Sequence, residues 1–297
     1  MSADIYIQHL INGLSIGSLY ALIAIGYTMV YGILLLINFA HGDVFMMAGY
    51  FMMFAMVTFG LPSYLSIPLV MLMTVVLGMV LERTAYKPLR DAPRMSIMIS
   101  AIGASYLLEN LATYLFSGVP KGYPEMPLLT RVIKFGNVSF QVVTIIIPIL
   151  TILLLLGLMF LVHHTKIGMA MRAVSKDYET ARLMGIKINW VISSTFGIGS
   201  FLAAIGSFLW GAKYPSIYPL MGMMPGLKCF IAAVFGGIGS IPGAVLGGLI
   251  LGVSESLLVA LFPSMTGYRD AFAFTLLIIM LIVKPTGLIG EKTTDKV

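Results

Sequence analysis

Apolar residues run through this chain in blocks of about twenty, with polar residues confined to the gaps between them. A helix crossing about 30 Å of hydrocarbon needs roughly 20 residues. By that measure the pattern predicts spans at 9–36, 44–60, 64–81, 95–117, 140–162, 190–211, 229–262 and 268–284, about eight segments. The block 229–262 is too long for one ordinary helix and is interrupted by "FGGIGSIPGA". Pro242 lacks an amide N–H and its ring clashes with the preceding turn, so the expected form is a half-helix followed by a full span. Irregular backbone at membrane depth survives only where it is buried in protein or lines a cavity. The fold class that follows is all-α and polytopic, a single transmembrane domain over 1–297 with one or more broken or re-entrant helices.

Composition strengthens this reading. Hydrophobic residues make up 59% of the chain and charged residues only 10%, against about 25% charged in a soluble domain. Met1–Gln8 lack the basic segment of a cleaved signal peptide, so the first apolar run is expected to be a retained span. The single cysteine, Cys229, excludes an internal disulfide and a cysteine-based zinc site. The 22 methionines read as adaptable packing.

The net charge of +6 bears on orientation. Loop 82–94 carries Arg83, Lys87, Arg90 and Arg94, and loop 163–190 carries Lys166, Arg172, Lys176, Arg182 and Lys187. Basic loops stay cytoplasmic. Counting back three spans places the N-terminus outside. A cytoplasmic tail with Lys284, Lys292 and Lys296 then requires an odd number of crossings, so 229–262 crosses twice or another segment re-enters. Loop 118–139 reads as an irregular external segment. The stretches "IGSLYALIAIG" (16–26) and "IGSFLAAIG" (198–206) resemble each other, and each precedes broken polarity. An inverted repeat has this appearance, and so do two unrelated helices rich in Gly and Ala.

The polar cluster in "INFAHGDVFMMAGY" (37–50) interrupts two apolar runs. One reading makes Asn38, His41, Gly42 and Asp43 a break in helix winding on a substrate pathway. A helix starting near Asp43 would offer N–H groups to a carboxylate. The other makes 37–43 a cytoplasmic turn, with Asn38 as C-cap and Asp43 as N-cap of the next span. Glu109 and Glu255 sit inside apolar blocks, where a carboxylate costs several kcal/mol unless paired, protonated or near water. Each is a pathway candidate, with an interhelical hydrogen bond as the alternative. Lys213 and Lys228 are expected to snorkel at the outer face. No catalytic or metal-binding constellation is visible, and no G-x-x-x-x-G-K-[ST] loop for nucleotide phosphates occurs.

Loop 163–190 carries apolar residues at helical spacing, with charges on its other faces. Asp177 is a candidate N-cap of a second short helix through Met184, with Gly185 as its stop. Such a helix pair could present a knob to a partner or lie on the anionic inner leaflet.

"ETARLMG" (Glu179–Gly185) resembles the coupling motif of ABC importer permeases, a Glu-Ala-Ala sequence followed three residues later by Gly, with Thr180 at the second position and Ala181 at the third. "YALIAIGYTMVYGILLLINFAHGDVFMMAGY" (20–50), "ERTAYKPLR" (82–90), "GMAMRAVSKDYETARLMGI" (168–186), "AAVFGGIGSIPGAVLGGLILGVSESL" (232–257) and "KPTGLIG" (284–290) are similar to the branched-chain amino acid ABC permease family, LivH type. The resemblance implies a non-enzymatic subunit in the bacterial inner membrane. It forms half of a translocation pathway beside a LivM-type permease. Two ATP-binding subunits use the ATP, so this chain carries no cofactor, and an extracytoplasmic binding protein delivers the amino acid. Arg172, Asp177, Glu179, Ala181, Arg182 and Gly185 would then form the coupling surface. A urea or short-amide importer remains an alternative, and so does a standalone secondary transporter or channel.

Overall fold

The computed structural model describes residues 3–90, 92–136 and 138–290. Seven helices among them are long and apolar enough to cross a membrane. In chain order the helices are α1 (Ala3–Leu34), α2 (His41–Met53), α3 (Ser63–Leu81), α4 (Arg94–Phe116), α5 (Pro127–Thr130), α6 (Val142–His164), α7 (Lys166–Lys176), α8 (Tyr178–Leu183), α9 (Ile188–Lys213), α10 (Met223–Gly236), α11 (Ile241–Leu261) and α12 (Arg269–Val283). Four short strands, β1 (Lys121–Gly122), β2 (Val132–Phe135), β3 (Val138–Gln141) and β4 (Ser216–Ile217), pair antiparallel as β1–β4 and β2–β3. Segment 118–139 is therefore not wholly irregular, since it contributes β1, α5, β2 and the start of β3.

α1 is the central element, because both α9 and α11 pack directly on its backbone. α11 runs antiparallel to it. A Cβ on Gly13 would lie 2.9 Å from Val253 Cα, and one on Gly17 would lie 2.9 Å from Leu249 Cα and from the Gly248 carbonyl. Such close approach is the usual way membrane helices associate, since apolar side chains gain little by leaving lipid for protein. α9 is also antiparallel to α1, with Gly199 near Gly26 and Gly206 near Ile23. α3, α4, α6 and α12 form the outer layer and leave most of their apolar surface exposed.

The block 229–262 divides as expected into a half-helix and a full span, although the half-helix begins earlier, at Met223. The break lies at Gly237–Ser240. Gly237 adopts φ 112° and Gly239 φ 97°, conformations that L side chains rarely take. The Ser240 hydroxyl then caps α11 by accepting from the Gly243 amide at 3.2 Å. α10 and α11 are antiparallel, with Gly236 against Gly243 and Ala232 against Gly247. Segment 214–222 descends along α2, from Ile217 near Gly49 to Gly222 near Gly42, before α10 completes the crossing.

Counting α2 with its π-helical extension to Thr58 and 214–236 as crossings gives nine passes among the described residues. Ala3 and Gly290 accordingly lie at opposite ends of the bundle. One end gathers loop 82–90, α7, α8 and 284–290, where the Leu288 and Ile289 amides donate to the Phe235 and Gly236 carbonyls. This basic end holds Lys284; Lys292 and Lys296 lie outside the described residues. The two similar stretches fall in α1 and α9. Each of these helices is followed by an irregular segment and then a short helix, in opposite directions, which is the layout of an inverted repeat.

Overfilling the α1–α11 contact should destabilise the fold. Gly17→Leu is expected to cost about 1–3 kcal/mol or more, read as a fall in thermal stability of the detergent-solubilised protein. Gly157→Leu, at a position where a Cβ would meet nothing within 4 Å, should leave stability unchanged.

Candidate functional site

The polar cluster near Asn38 lies at a break between two helices and is not the capped turn. α1 ends at Leu34, and Leu35 takes φ 54°. α2 begins at His41, two residues before Asp43, and its N-cap is Ala40, with no side-chain cap. Asn38 therefore caps neither helix through its side chain, and Asp43 is not an N-cap. The Asn38 Oδ1 instead accepts a 2.7 Å hydrogen bond from the hydroxyl of Tyr86, at the end of the π-helical continuation of α3. Asn38, His41 and Asp43 are all buried. The His41 ring packs edge-on to Tyr27, with centroids 4.8 Å apart, and presses on the α1 backbone where Gly26 leaves room for it.

Gly42 and Asp43, in the first turn of α2, line a cavity of about 320 Å³ together with Glu109. Asp43 Oδ2 accepts from the Ser105 hydroxyl at 2.5 Å. Ser105 is the middle residue of α4, so the cavity lies at mid-length of a spanning helix and not at its end. Ser105 and Glu109 are four residues apart and share one helix face. The far wall is the start of α10. A Cβ on Gly42 would lie 2.6 Å from the Gly222 carbonyl, and one on Gly226 would lie 3.1 Å from Gly42 Cα. Two short helices thus bring their N-terminal ends together beside the cavity. Helix N-termini carry partial positive charge. Phe39, Ile102, Leu220, Leu227 and Phe230 supply apolar walls, and no Lys or Arg lines the cavity among the described residues.

Of the six pathway candidates, the cavity unites Gly42, Asp43 and Glu109. Asn38 and His41 support the turn from behind. Glu255 belongs elsewhere: its Oε1 lies 3.0 Å from Lys228 Nζ, and its Oε2 accepts from the Tyr20 hydroxyl at 3.2 Å. Lys228 also pairs with Asp270 at 2.8 Å. Lys228 is buried, so the expectation of a snorkelling side chain is wrong there: its ammonium pairs with the buried Glu255 and with the exposed Asp270. Lys213 donates to the Ser15 hydroxyl at 2.7 Å. Glu255 faces a separate cavity of about 390 Å³ at the end opposite the basic loops, with His9, Asn12, Lys213 and Arg269.

Sequence reasoning missed Ser105, Tyr27, Gly222 and Gly226. Ser105 was detectable in "SYLLE", at the helical spacing from Glu109. Gly222 and Gly226, also four apart, carry the small-residue signal of close helix approach.

At the basic end, α7 and α8 form a helix pair. Asp177 caps α8 as expected, its Oδ1 accepting from the Glu179 and Thr180 amides at 3.0 and 3.1 Å. Thr180, the departure from the coupling motif, donates its hydroxyl to Asp177 Oδ2 at 2.6 Å, so the substitution reinforces the cap. Gly185 ends the turn at φ 81°. Ala181 is buried against the bundle, whereas Glu179, Arg182, Leu183 and Met184 are exposed. The second short helix ends at Leu183, with Met184 as its C-cap. Arg172 is half-buried and reaches back to the His163 carbonyl at 3.4 Å. Behind α8, Arg90 pairs with the buried Glu82 and donates to Asn189 Oδ1 at 2.5 Å. Glu82 Oε2 accepts from Ser193 at 2.5 Å. The segment 82–90 therefore joins the start of α9, which follows the helix pair, to the turn at Asn38 through Tyr86.

A family model for the branched-chain amino acid transport system permease component matches residues 9–281. The chain is 43% identical to the high-affinity branched-chain amino acid transport system permease protein BraD of Pseudomonas aeruginosa, over 98% of each chain. It is 41% identical to LivH, the permease protein of the corresponding system in Escherichia coli, again over 98% of each. A probable branched-chain amino acid transport permease of Methanocaldococcus jannaschii is 28% identical over 92% of this chain and 89% of its own. No solved structure matches the chain.

The Lys228–Glu255 pair gives a stability prediction. Lys228→Met leaves a carboxylate buried without its cation and should cost about 3–5 kcal/mol. Adding Glu255→Gln should recover most of that loss, measured by thermal unfolding of the purified protein.

Proposed function

The chain belongs to the branched-chain amino acid transport system permease family, and on that premise we propose that it forms half of the membrane pathway of an ATP-driven importer for branched-chain and hydrophobic amino acids. It is a multi-pass membrane protein, and its relatives are transport permeases and not enzymes. ATP hydrolysis is assigned to separate ATP-binding subunits, so this chain needs no cofactor of its own. An external binding protein hands over the amino acid, and a second permease completes the pathway. The basic end faces the cytoplasm of a bacterial cell under the positive-inside rule, which puts the N-terminus outside.

The observation that carries this reading is the cavity at mid-length of α4. It combines the three features a zwitterion with an apolar side chain needs. Asp43 and Glu109 suit the ammonium group. The N-terminal ends of α2 and α10 suit the carboxylate. Phe39, Ile102, Leu220, Leu227 and Phe230 suit the side chain. Its volume falls at the low end of small-molecule sites, roughly 300–1,000 Å³. These residues position and select; no covalent chemistry is asked of them.

The exposed surface of α8 is the coupling surface. Glu179, Arg182 and the Asp177–Thr180 cap shape it, with Gly185 closing it and Ala181 anchoring it to the bundle. Arg172 acts from behind, by holding α7 against the end of α6. Closure of the ATPase pair moves this knob, and Arg90, Glu82 and Tyr86 connect it to the turn at Asn38, where α2 begins. The pathway thereby changes the side to which it opens.

Two outcomes test the reading. Asp43→Asn in the assembled transporter should lower leucine uptake at least tenfold while membrane levels and basal ATPase activity stay normal; unchanged uptake rejects the cavity as the pathway. Gly185→Trp should uncouple the system, with ATP hydrolysis retained and uptake lost. Normal uptake at normal membrane levels removes the coupling role of the α8 turn.

A further inference from the structure

The cavity of about 390 Å³ at the end opposite the basic loops shares no lining residue with the mid-length cavity. Its walls come from five helices and a hairpin. Asn12 belongs to α1 and Thr144 to α6, Lys213 ends α9, Glu255 belongs to α11, and Arg269 begins α12. Ser139, Phe140 and Gln141 of β3 form a further wall, and Gln8 fastens this hairpin to α1 by donating to the Ser139 carbonyl at 3.0 Å. Lys213 and Arg269 are half-buried, and neither pairs with a carboxylate among the described residues. Lys213 donates to a neutral hydroxyl, that of Ser15. The Arg269 Nε is buried with no acceptor. The carboxylate on this wall, Glu255, is already held by Lys228 and Tyr20, and Lys228 also serves Asp270. Those two carboxylates and their shared lysine carry one net negative charge, against two positive charges from Lys213 and Arg269. One positive charge is left over in a partly buried site, beside an orphaned donor. Such groups are costly to leave without a partner.

We propose that this cavity binds a phosphate-type oxyanion between Lys213 and Arg269, with Asn12, Gln141 and Thr144 as neutral donors around it. A guanidinium presents a rigid fork of donors that matches phosphate oxygens, and an ammonium adds a point charge. Donors that converge from separate elements suit a tetrahedral oxyanion better than a planar carboxylate. A single negative charge balances the site. An amino acid is the poorer fit, because the carboxylate that would have to receive its ammonium group is occupied by Lys228. Two sources supply the same chemistry: the phosphodiester of a phospholipid headgroup, and inorganic phosphate from solution. Lys213 and Arg269 stand at the ends of their helices, which puts the cavity within reach of both. The bound anion ties the end of α9 to the start of α12 and to the hairpin. The proposal stands apart from the permease reading, since it uses none of the residues assigned to the amino-acid cavity or to the coupling surface.

The test is the thermal stability of the full-length protein, purified in detergent, stripped of lipid and held in phosphate-free buffer. Inorganic phosphate is titrated in one arm and short-chain phosphatidylglycerol in a second. Sodium chloride at matched ionic strength, the uncharged short-chain diacylglycerol and leucine are the controls. The expected result is a rise in the unfolding midpoint of about 3 °C or more at saturation in at least one of the first two arms, with the controls flat. A rise with phosphate identifies the solution anion as a ligand, and a rise with the lipid alone identifies the headgroup. Lys213→Gln and Arg269→Gln should each cut that rise to less than a third; Asn12→Ala stands in for a variant that does not fold. No rise in the unsubstituted protein beyond that with sodium chloride overturns the proposal, whatever the variants do. So does a rise that all the folded variants retain, or an equal rise with leucine that the same substitutions abolish.

Discussion

A helix that breaks inside a membrane leaves backbone N–H and C=O groups with no water to satisfy them, and two such breaks organise this molecule. One precedes α2 and the other precedes α10. They are placed against each other, with Gly42, Gly222 and Gly226 in near backbone contact. Each break is thereby covered on one side by the other. The arrangement needs a rigid frame around it, which α1 supplies by packing backbone to backbone on α9 and α11 through glycine. The outer helices need only cover this centre and face lipid, and they do so with largely apolar surfaces.

The same constraint places the polar residues. A carboxylate at membrane depth has to be hydrogen-bonded, ion-paired or beside a cavity, and the buried ones here divide among these solutions. Asp43 takes a hydroxyl donor from Ser105 and borders a cavity. Glu255 takes Lys228 and Tyr20. Glu82, lower in the bundle, takes Arg90 and Ser193. Glu109 borders the same cavity as Asp43, on the side where Tyr106, Leu220 and Met223 are exposed. Hydrogen bonds and an ion pair tie Asn189 and Ser193 of α9 to Arg90 and Glu82, and Tyr86 of the same segment reaches Asn38.

Much of this was legible before any coordinates. The apolar blocks placed the spans to within a few residues, because transfer from water to lipid is a local property of about twenty side chains. The Asp177 cap and the Gly185 stop were legible for the same reason: a cap acts over three residues of sequence. The break at Gly237–Ser240 announced itself through Pro242 and the glycines around it. What misled was the polar cluster at Asn38–Asp43, where residue types that favour caps suggested capping. Asn38 and Asp43 are held by Tyr86 and Ser105, side chains from distant helices, and local preference yields to such partners.

The sequence by itself determined that the chain lies in a membrane, which segments are apolar enough to span it, where one helix is interrupted and which short turn is capped for presentation to a partner. Each of these depends on the composition or spacing of neighbouring residues. Only the tertiary structure decided which polar residues share a cavity. Gly42, Asp43, Ser105, Glu109, Gly222 and Gly226 come from three helices and the segment leading into one of them. Their meeting depends on the rotation of each helix about its axis and on how closely glycines let backbones approach. Apolar periodicity is weak on helices rich in apolar residues on every face, so it does not specify that rotation; packing does.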